Sequence, residues 1–403
     1  MKKRLILSII SSTMILSAGE SVPPVSHNDS LGSALQNGTF SANTRTFYFD
    51  RSFDKDGVDN ATALTVGGIV KYVSGDLNGF KGGFAYYGSH RIGDLFSREE
   101  GKGTSILGRG GEDLAFLGEA FLQYDYGKTM FKVGRQQLST PLMQNHDLRI
   151  LPSVYEAAVI RNRDIENTMV EGGYVQRYTG FTSKDNRFND YNNKWGDDGL
   201  AYLSFSNKSV NNLSMRGQYI KALSDTASDG SKIAVDDYRY FDAKYNLPMI
   251  GTGTYIKGQY GGNAYNNADD STLLGAKVGT SVHKMVDVAL LYDKISDNSF
   301  KAVESGPMYS DWQQGYGNYE ASTAVGGQIV LKPLSDLSLK FGYVDVGSDE
   351  GNVRDDFSEF NFDGKYKIND YSKIRVRYSL KDQTDSSDRE DRDDFRVIYY
   401  MNF

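Results

Sequence analysis

Apolar and polar side chains alternate regularly at the end of the chain. In residues 395–403 most odd positions are apolar or aromatic, whereas Arg396 and Asn402 fall on the other face. Residues 373–381 repeat the pattern, with apolar side chains at even positions and mostly basic ones at odd positions. Because successive side chains of a strand point to opposite faces, this period of two predicts β-strands with one apolar face. A soluble β-sandwich would alternate in the same way, so the pattern alone leaves a sandwich and a membrane barrel open.

Segments of this kind recur along the chain, and the connections between them alternate in length. We read about eighteen segments from residue 38 onward, each near the ~10 residues that a tilted membrane strand needs. A sandwich has no reason to alternate short and long connections, whereas an outer-membrane barrel does. The sequence therefore predicts an all-β fold, a transmembrane antiparallel β-barrel with both chain ends in the periplasm. The short turns are 75–78, 125–128, 207–212, 332–336 and 368–370, and the long loops are 89–113, 137–154, 179–198, 224–236, 296–319 and 382–393.

The beginning of the chain has the features of a secretory signal. Basic residues at 2–4 precede an apolar run at 5–16 and small residues at 17–19. The apolar run is shorter than the ~20 residues of a membrane-spanning helix, so we expect residues 1–19 to be a removed signal peptide. Residues 20–37 then form a periplasmic lead-in, and residues 38–403 form the barrel. The expected location is the outer membrane of a Gram-negative bacterium.

Composition narrows the chemistry further. The chain of 403 residues has no cysteine, which excludes disulfides, thiolate metal sites and a cysteine nucleophile. The formal net charge of -7 argues against a nucleic-acid partner, which would need a basic face. The four histidines lack the spacing of metal ligands, so we expect no metal site and no cofactor.

A motif in the first third of the chain resembles the OprD-type porin family. Residues 133–143 read VGRQQLSTPLM and residues 146–152 read HDLRILP, followed by Tyr155 and Glu156. The resemblance implies an eighteen-stranded barrel that passes small water-soluble solutes, often ones bearing a carboxylate. It also implies that the third surface loop, about 137–154, folds into the lumen as a constriction. The constriction residues that we assign to this loop are Asp147, Arg149 and His146.

Strand parity predicts which charged side chains face the lumen. A row of fixed cations favours anions in a pore, and acids on the same face would oppose them across the lumen. The alternative is that these charges pair with one another and only keep the lumen polar. The predicted basic row is Lys132, Arg216, Lys257, Lys277, Lys340, Lys373, Arg375, Arg377 and Arg396, and the predicted lumen acids are Glu119, Asp125, Glu171, Asp242 and Asp287.

These observations favour a passive channel over two other functions. A hydrolase on the barrel rim is the first alternative, but no histidine neighbours a Gly-x-Ser-x-Gly motif, so we expect no enzyme activity. A surface adhesin built on the long loops is the second. The expected partners are outer-membrane lipid and lipopolysaccharide, small solutes, and the barrel-assembly machinery through the terminal Phe403. Both a monomer and a homotrimer remain open.

Overall fold

A computed structural model shows a single closed sheet of eighteen antiparallel strands. β1 pairs with β2 on one side and with β18 on the other, so the described sheet has no free edge. This confirms the predicted barrel and its strand number. The structure describes residues 28–54, 57–93, 103–145, 149–180, 191, 195–226, 230–304, 306–310, 320–348, 356–383 and 391–403.

One short helix precedes the strands, and the strands follow in chain order around the barrel. The helix is α1 Leu31–Gln36, and the strands are β1 Thr39–Phe53, β2 Ala61–Val73, β3 Phe80–Arg91, β4 Leu114–Tyr126, β5 Thr129–Gln136, β6 Val154–Asn162, β7 Thr168–Thr179, β8 Leu200–Asn207, β9 Leu213–Ala222, β10 Val235–Asn246, β11 Tyr255–Tyr265, β12 Ser271–His283, β13 Val286–Asp297, β14 Ser322–Leu334, β15 Leu337–Ser348, β16 Phe357–Lys367, β17 Ser372–Gln383 and β18 Arg392–Asn402.

The two faces of the wall have opposite burial patterns. Large apolar side chains such as Leu203, Leu290 and Val325 are exposed on the outer face. Charged side chains such as Glu359 and Arg396 are buried on the inner face. A water-soluble protein would show the reverse, because apolar burial drives its folding. The outer face is therefore suited to hydrocarbon and the inner face to a polar lumen.

The connections differ in length between the two ends of the barrel. Turns of two residues join strands at 127–128, 284–285 and 335–336. At the opposite end, long loops such as 92–113 and 298–321 join the strands. This confirms the predicted alternation of short turns and long loops. None of the described residues forms a helix long and apolar enough to cross a membrane.

A bulge in β4 changes the parity of that strand. The register shifts between Ala85 and Tyr86 of β3, so that Leu117 and Glu119 of β4 face different sides of the wall. Leu117 is exposed on the outside, whereas Glu119 is buried inside. A bulge adds one residue to one strand. The side chains beyond it therefore point to the opposite face from the one that simple alternation predicts. Simple alternation cannot reveal this position.

The helix α1 was not predicted from the sequence. Its first turn is closed by a capping box, in which the side chains of Ser30 and Ser33 each accept a hydrogen bond from the other residue's backbone N–H. Residue Asn28 donates a backbone hydrogen bond to the carbonyl of Asp76 at 3.0 Å, which attaches the segment to the turn 74–79. Residues 28–37 are therefore packed against the end of the barrel that carries the short turns.

Candidate channel constriction

The third loop, L3 (137–153), contacts inner-wall strands on two sides of the lumen. Its first part lies against β9, where the backbone N–H of Leu142 donates to the Gln218 side chain at 2.7 Å. The amide nitrogen of Gln218 donates in turn to the Thr140 hydroxyl at 2.8 Å. On the other side of the lumen, Arg45 of β1 donates to the carbonyl of Arg149 at 2.6 Å. The described parts of L3 therefore lie against the inner wall on two sides of the lumen.

Apolar side chains hold L3 at both of these positions. Leu138, Leu142 and Met143 belong to a buried cluster with residues of β6–β10 and β12–β16. Ile150 and Leu151 belong to a second cluster with residues of β1–β4, β6 and β18. Burial removes the apolar surface of these side chains from water. This stabilises the described parts of the loop inside the barrel rather than above it.

A second inward loop, L7 (298–321), supports L3, and sequence reasoning missed it. The backbone N–H of Val303 donates to the carbonyl of Leu142 at 3.0 Å, and Ser153 donates to the Glu304 carboxylate at 2.6 Å. The hydroxyl of Ser310 donates to Asp293 on the wall at 2.5 Å. The signal that could have revealed L7 is its set of apolar residues, Phe300, Val303 and Met308, which are buried in an otherwise polar loop.

The described second half of the loop L2 (92–113) also enters the barrel. Ile106 and Leu107 are fully buried in the second cluster, and the Ser89 hydroxyl donates to the carbonyl of Ile106 at 2.6 Å. Described parts of three loops therefore lie inside the barrel next to the inner wall.

Arg149 is the one predicted constriction residue that lies among the described residues. Its guanidinium is buried, with its centre 5.7 Å from the ring of Phe49. Burial lowers the pKa of Arg149, and the positive charges of Arg396 and Arg51 lower it further. The other two predicted constriction residues, His146 and Asp147, lie outside the described residues.

Basic side chains on β17 and β18 form the wall that Arg149 approaches. Lys373 lies over the ring of Tyr400 at 4.5 Å. Arg375 makes two hydrogen bonds to the Asp363 carboxylate, at 2.8 and 2.7 Å. Arg377 faces Arg396 directly across the two strands, because the two residues are register partners.

Arg377 and Arg396 have more donors than nearby acceptors. Arg377 is only 5% exposed, and Arg396 is fully buried. Among the described residues, Nε and Nη1 of both side chains have no hydrogen-bond partner. Arg396 shares the Asp394 carboxylate with Arg51, which takes both oxygens of that carboxylate at 2.7 and 2.9 Å. We call Arg149, Arg377 and Arg396 the arginine cluster.

The remaining members of the predicted basic row lie on the inner face in more varied surroundings. Lys132 lies 3.6 Å above the ring of Phe121, and Lys257 lies 5.9 Å from the ring of Tyr309 in L7. Lys277 donates to the Gln328 side chain at 3.0 Å. Lys340 is the register partner of Asp363, and Arg216 makes two-pronged contact with Asp242.

All five predicted lumen acids are paired with basic side chains, most of which sequence reasoning did not identify. A separate acidic wall is therefore not what the structure shows, since the partner cations neutralise these carboxylates locally. The reason is that neighbouring strands place opposite charges side by side, a register that alternation cannot predict. The pairs are Glu119 with Lys71 at 2.7 Å, Asp125 with Lys81 at 3.0 Å, Glu171 with Arg161 at 2.5 Å, Asp242 with Arg216 at 2.5 Å, and Asp287 with Lys332 at 2.5 Å.

The chemistry of the site is therefore electrostatic. Within the described part of the chain, no group of three histidines, cysteines or acids could hold a metal ion. Among the described residues, excess positive charge lies on the side of the lumen formed by β17, β18 and β1, where Arg149 of L3 contacts Arg45. A closed barrel with a polar lumen and inward loops defines an outer-membrane porin.

The comparison with protein families identifies the kind of porin. The model of the family described as outer membrane porin, OprD family, matches residues 35–322, which is more than half of the chain. The chain belongs to the OprD family of outer-membrane porins. It is a channel for small solutes in the Gram-negative outer membrane and not an enzyme, which confirms the family, location and function class expected from the sequence.

Solved structures share the fold at low sequence identity. Acinetobacter baumannii OccAB2 is 16% identical with a TM-score of 0.75, covering 92% of this chain and 99% of that chain. Pseudomonas aeruginosa OccK9 (OpdG) is 16% identical with a TM-score of 0.72 and the same coverage. Pseudomonas aeruginosa OccD3 (OpdP) is 15% identical with a TM-score of 0.70, covering 92% of each chain. A sequence comparison with curated proteins gives no significant match.

Proposed function

We propose that the channel favours small solutes that carry a carboxylate or another anionic group. The observation that carries this proposal is the arginine cluster, in which Nε and Nη1 of both Arg377 and Arg396 have no hydrogen-bond partner among the described residues. Because Arg377 and Arg396 are buried, they attract a passing carboxylate through their positive charge rather than by direct pairing, and a neutral hydroxyl gains no such attraction.

The effective dielectric constant around the arginine cluster determines how strongly its charge attracts an anion. Two unit charges roughly 4 Å apart interact by about 1 kcal/mol in water, but by about 4 kcal/mol at an effective dielectric constant of 20. Because Arg377 and Arg396 are buried, the stronger regime supports an appreciable effect on anions. Lys373 and Arg375 continue the row along β17, so a solute can move between neighbouring cations instead of binding tightly to one.

Replacing the row on β17 tests the selectivity. The variant Lys373→Gln/Arg375→Gln/Arg377→Gln should shift the reversal potential under a salt gradient away from the anion side, because it removes three positive charges. The matched control is Lys208→Gln, which removes a charge from the periplasmic turn 208–212 and should leave the potential unchanged. An unmoved reversal potential in the triple variant would refute the role of this row.

Liposome swelling identifies the class of solute. In a panel of amino acids, dicarboxylates and sugars of matched size, we expect dicarboxylates to enter fastest, and the triple variant should lose this advantage. Rates that follow molecular size alone would contradict a carboxylate preference.

We further propose partners for the two ends of the barrel. The terminal Phe403 pairs with Ala42 through two backbone hydrogen bonds, while its ring is half exposed. This arrangement supports recognition of the ring by the barrel-assembly machinery. At the other end, lipopolysaccharide is the expected neighbour of the long loops.

The variant Phe403→Ala tests the proposed recognition by the assembly machinery. It should slow assembly into the outer membrane, measured by the rate at which the folded form accumulates.

A further inference from the structure

The helix α1 is attached to the outer face of the barrel and not to its lumen. The hydroxyl of Tyr72 in β2 donates a hydrogen bond to the carbonyl of Leu35. The backbone N–H of Gly75 donates to the carbonyl of Ala34 at 2.8 Å. Tyr72 has the parity of the exposed Val70, and its ring packs at 5.6 Å against Phe84, which is also exposed. The Tyr72 attachment is therefore made at the lipid-facing side of the wall, and the Gly75 attachment is made at the adjoining turn.

Aromatic side chains show the depth at which α1 lies. Phe80 and Phe84 are exposed on the outer face of β3, near the same rim as Tyr72. The ring of Phe80 packs at 4.5 Å against Tyr124 of β4, and exposed Phe40 lies at the start of β1. Belts of aromatic residues mark the level of the lipid headgroups in barrels. The helix therefore lies at the periplasmic headgroup level.

The helix has one apolar side that the barrel does not cover. Ala34 is buried against the barrel, whereas Leu31 is 64% exposed and Leu35 is 52% exposed. The two leucines are four residues apart, so they lie on the same side of the helix. Ser33 and Gln36 lie away from that side, and α1 contains no charged residue. An uncharged helix with one apolar side is suited to the boundary between headgroups and acyl chains.

Contacts on both sides of α1 fix its position. The side chain of Asn37 donates to that of Asn28 at 2.6 Å, and the side chain of Asn28 donates to the carbonyl of Asp76 at 2.6 Å. The exposed leucines are therefore held beside the lipid-facing band by hydrogen bonds before and after the helix.

We propose that α1 is an interfacial helix that inserts Leu31 and Leu35 into the periplasmic leaflet of the outer membrane. The occupant of its apolar side is the acyl region of phospholipid, because this side is continuous with the lipid-facing band at Phe40, Tyr72 and Phe84. The inference is independent of the solute preference proposed above.

Site-specific labelling tests the proposal directly, because the chain has no cysteine of its own. The full mature chain carrying Leu35→Cys, labelled with a small fluorophore, is reconstituted in phospholipid liposomes. Leu31→Cys provides a second probe of the same side, and Gln36→Cys is the matched control on the polar side, because Gln36 takes no part in the capping box. Only labelled proteins with the conductance of the unsubstituted channel are compared.

Two quenchers then show whether lipid, water or protein surrounds each label. Phospholipids brominated on the acyl chain should quench labels at 31 and 35 several-fold more than the label at 36. Iodide added on both sides of the membrane should show the opposite order. Equal iodide quenching at 35 and 36 would overturn the proposal. So would labels at 31 and 35 that are shielded from both quenchers, since that result would mean that protein covers the helix.

Discussion

Individual inward charges were predictable, but their partners were not. Parity alone assigned Glu119 and Arg396 to the lumen side, because a strand offers each side chain one of only two faces. Glu119 pairs with Lys71, and Arg51 and Arg396 share one carboxylate. Both arrangements depend on the register between strands and on the length of the side chains. Neither can be read from a single strand.

Asp394 stabilises the basic wall, because its buried carboxylate pairs with both Arg51 and Arg396. Substitution by Asn removes the charge that faces Arg51 and Arg396 in a fully buried position. Breaking a buried pair leaves uncompensated charge, so we expect a loss of about 3 kcal/mol in the free energy of unfolding. Urea titration of the reconstituted barrel measures it.

The control for this substitution is Asp370→Asn. Asp370 pairs with Lys367 in a highly exposed position on the turn after β16. Exposed pairs contribute little, so no measurable change is expected. Similar stabilities for the two variants would show that Asp394 is not needed to hold the buried guanidinium groups.

At the level of elements, the strands followed from their own pattern, whereas the loops did not. The inward fold of L3 was inferred only from a family resemblance over residues 133–156. L7 reads as a polar loop, and its inward path depends on partners such as Asp293 and Leu142 that are distant in sequence. The helix α1 is too short to show a helical period, so only its Ser30–Ser33 cap could have indicated it.

Gln218 tests how L3 is held in the lumen. Substitution by Ala removes the hydrogen bonds to Leu142 and Thr140, so L3 should become less firmly fixed. We expect a larger and noisier single-channel conductance. The same substitution at Gln328, which accepts a hydrogen bond from Lys277 on the wall, should leave the noise unchanged. Quiet channels in both variants would show that L3 does not depend on Gln218.

For the whole molecule, the alternation of side chains and the asymmetry of the connections were sufficient to predict a closed barrel in a membrane. The exposed apolar outer face and the buried charged inner face confirm that reasoning. Solute preference does not follow from alternation, because it depends on how the inward charges pair with one another across neighbouring strands.

The lipid-facing role of the outer wall can be measured by charge substitution. Leu290 is 73% exposed within β13, so Leu290→Arg should lower the free energy of unfolding from liposomes by about 2–4 kcal/mol if this position lies near the bilayer centre. Val210→Arg, in a periplasmic turn, should have a much smaller effect. Equal effects of the two substitutions would contradict the assignment of the outer face to hydrocarbon.

The central claim is that an aqueous channel runs past a wall on which basic side chains outnumber acidic ones. Single-channel recording of the purified protein in a planar bilayer, under a potassium chloride gradient, tests it most directly. We expect stepwise ohmic currents whose reversal potential lies on the chloride side. A protein that inserts without current steps, or one whose reversal potential lies on the potassium side, would contradict the account.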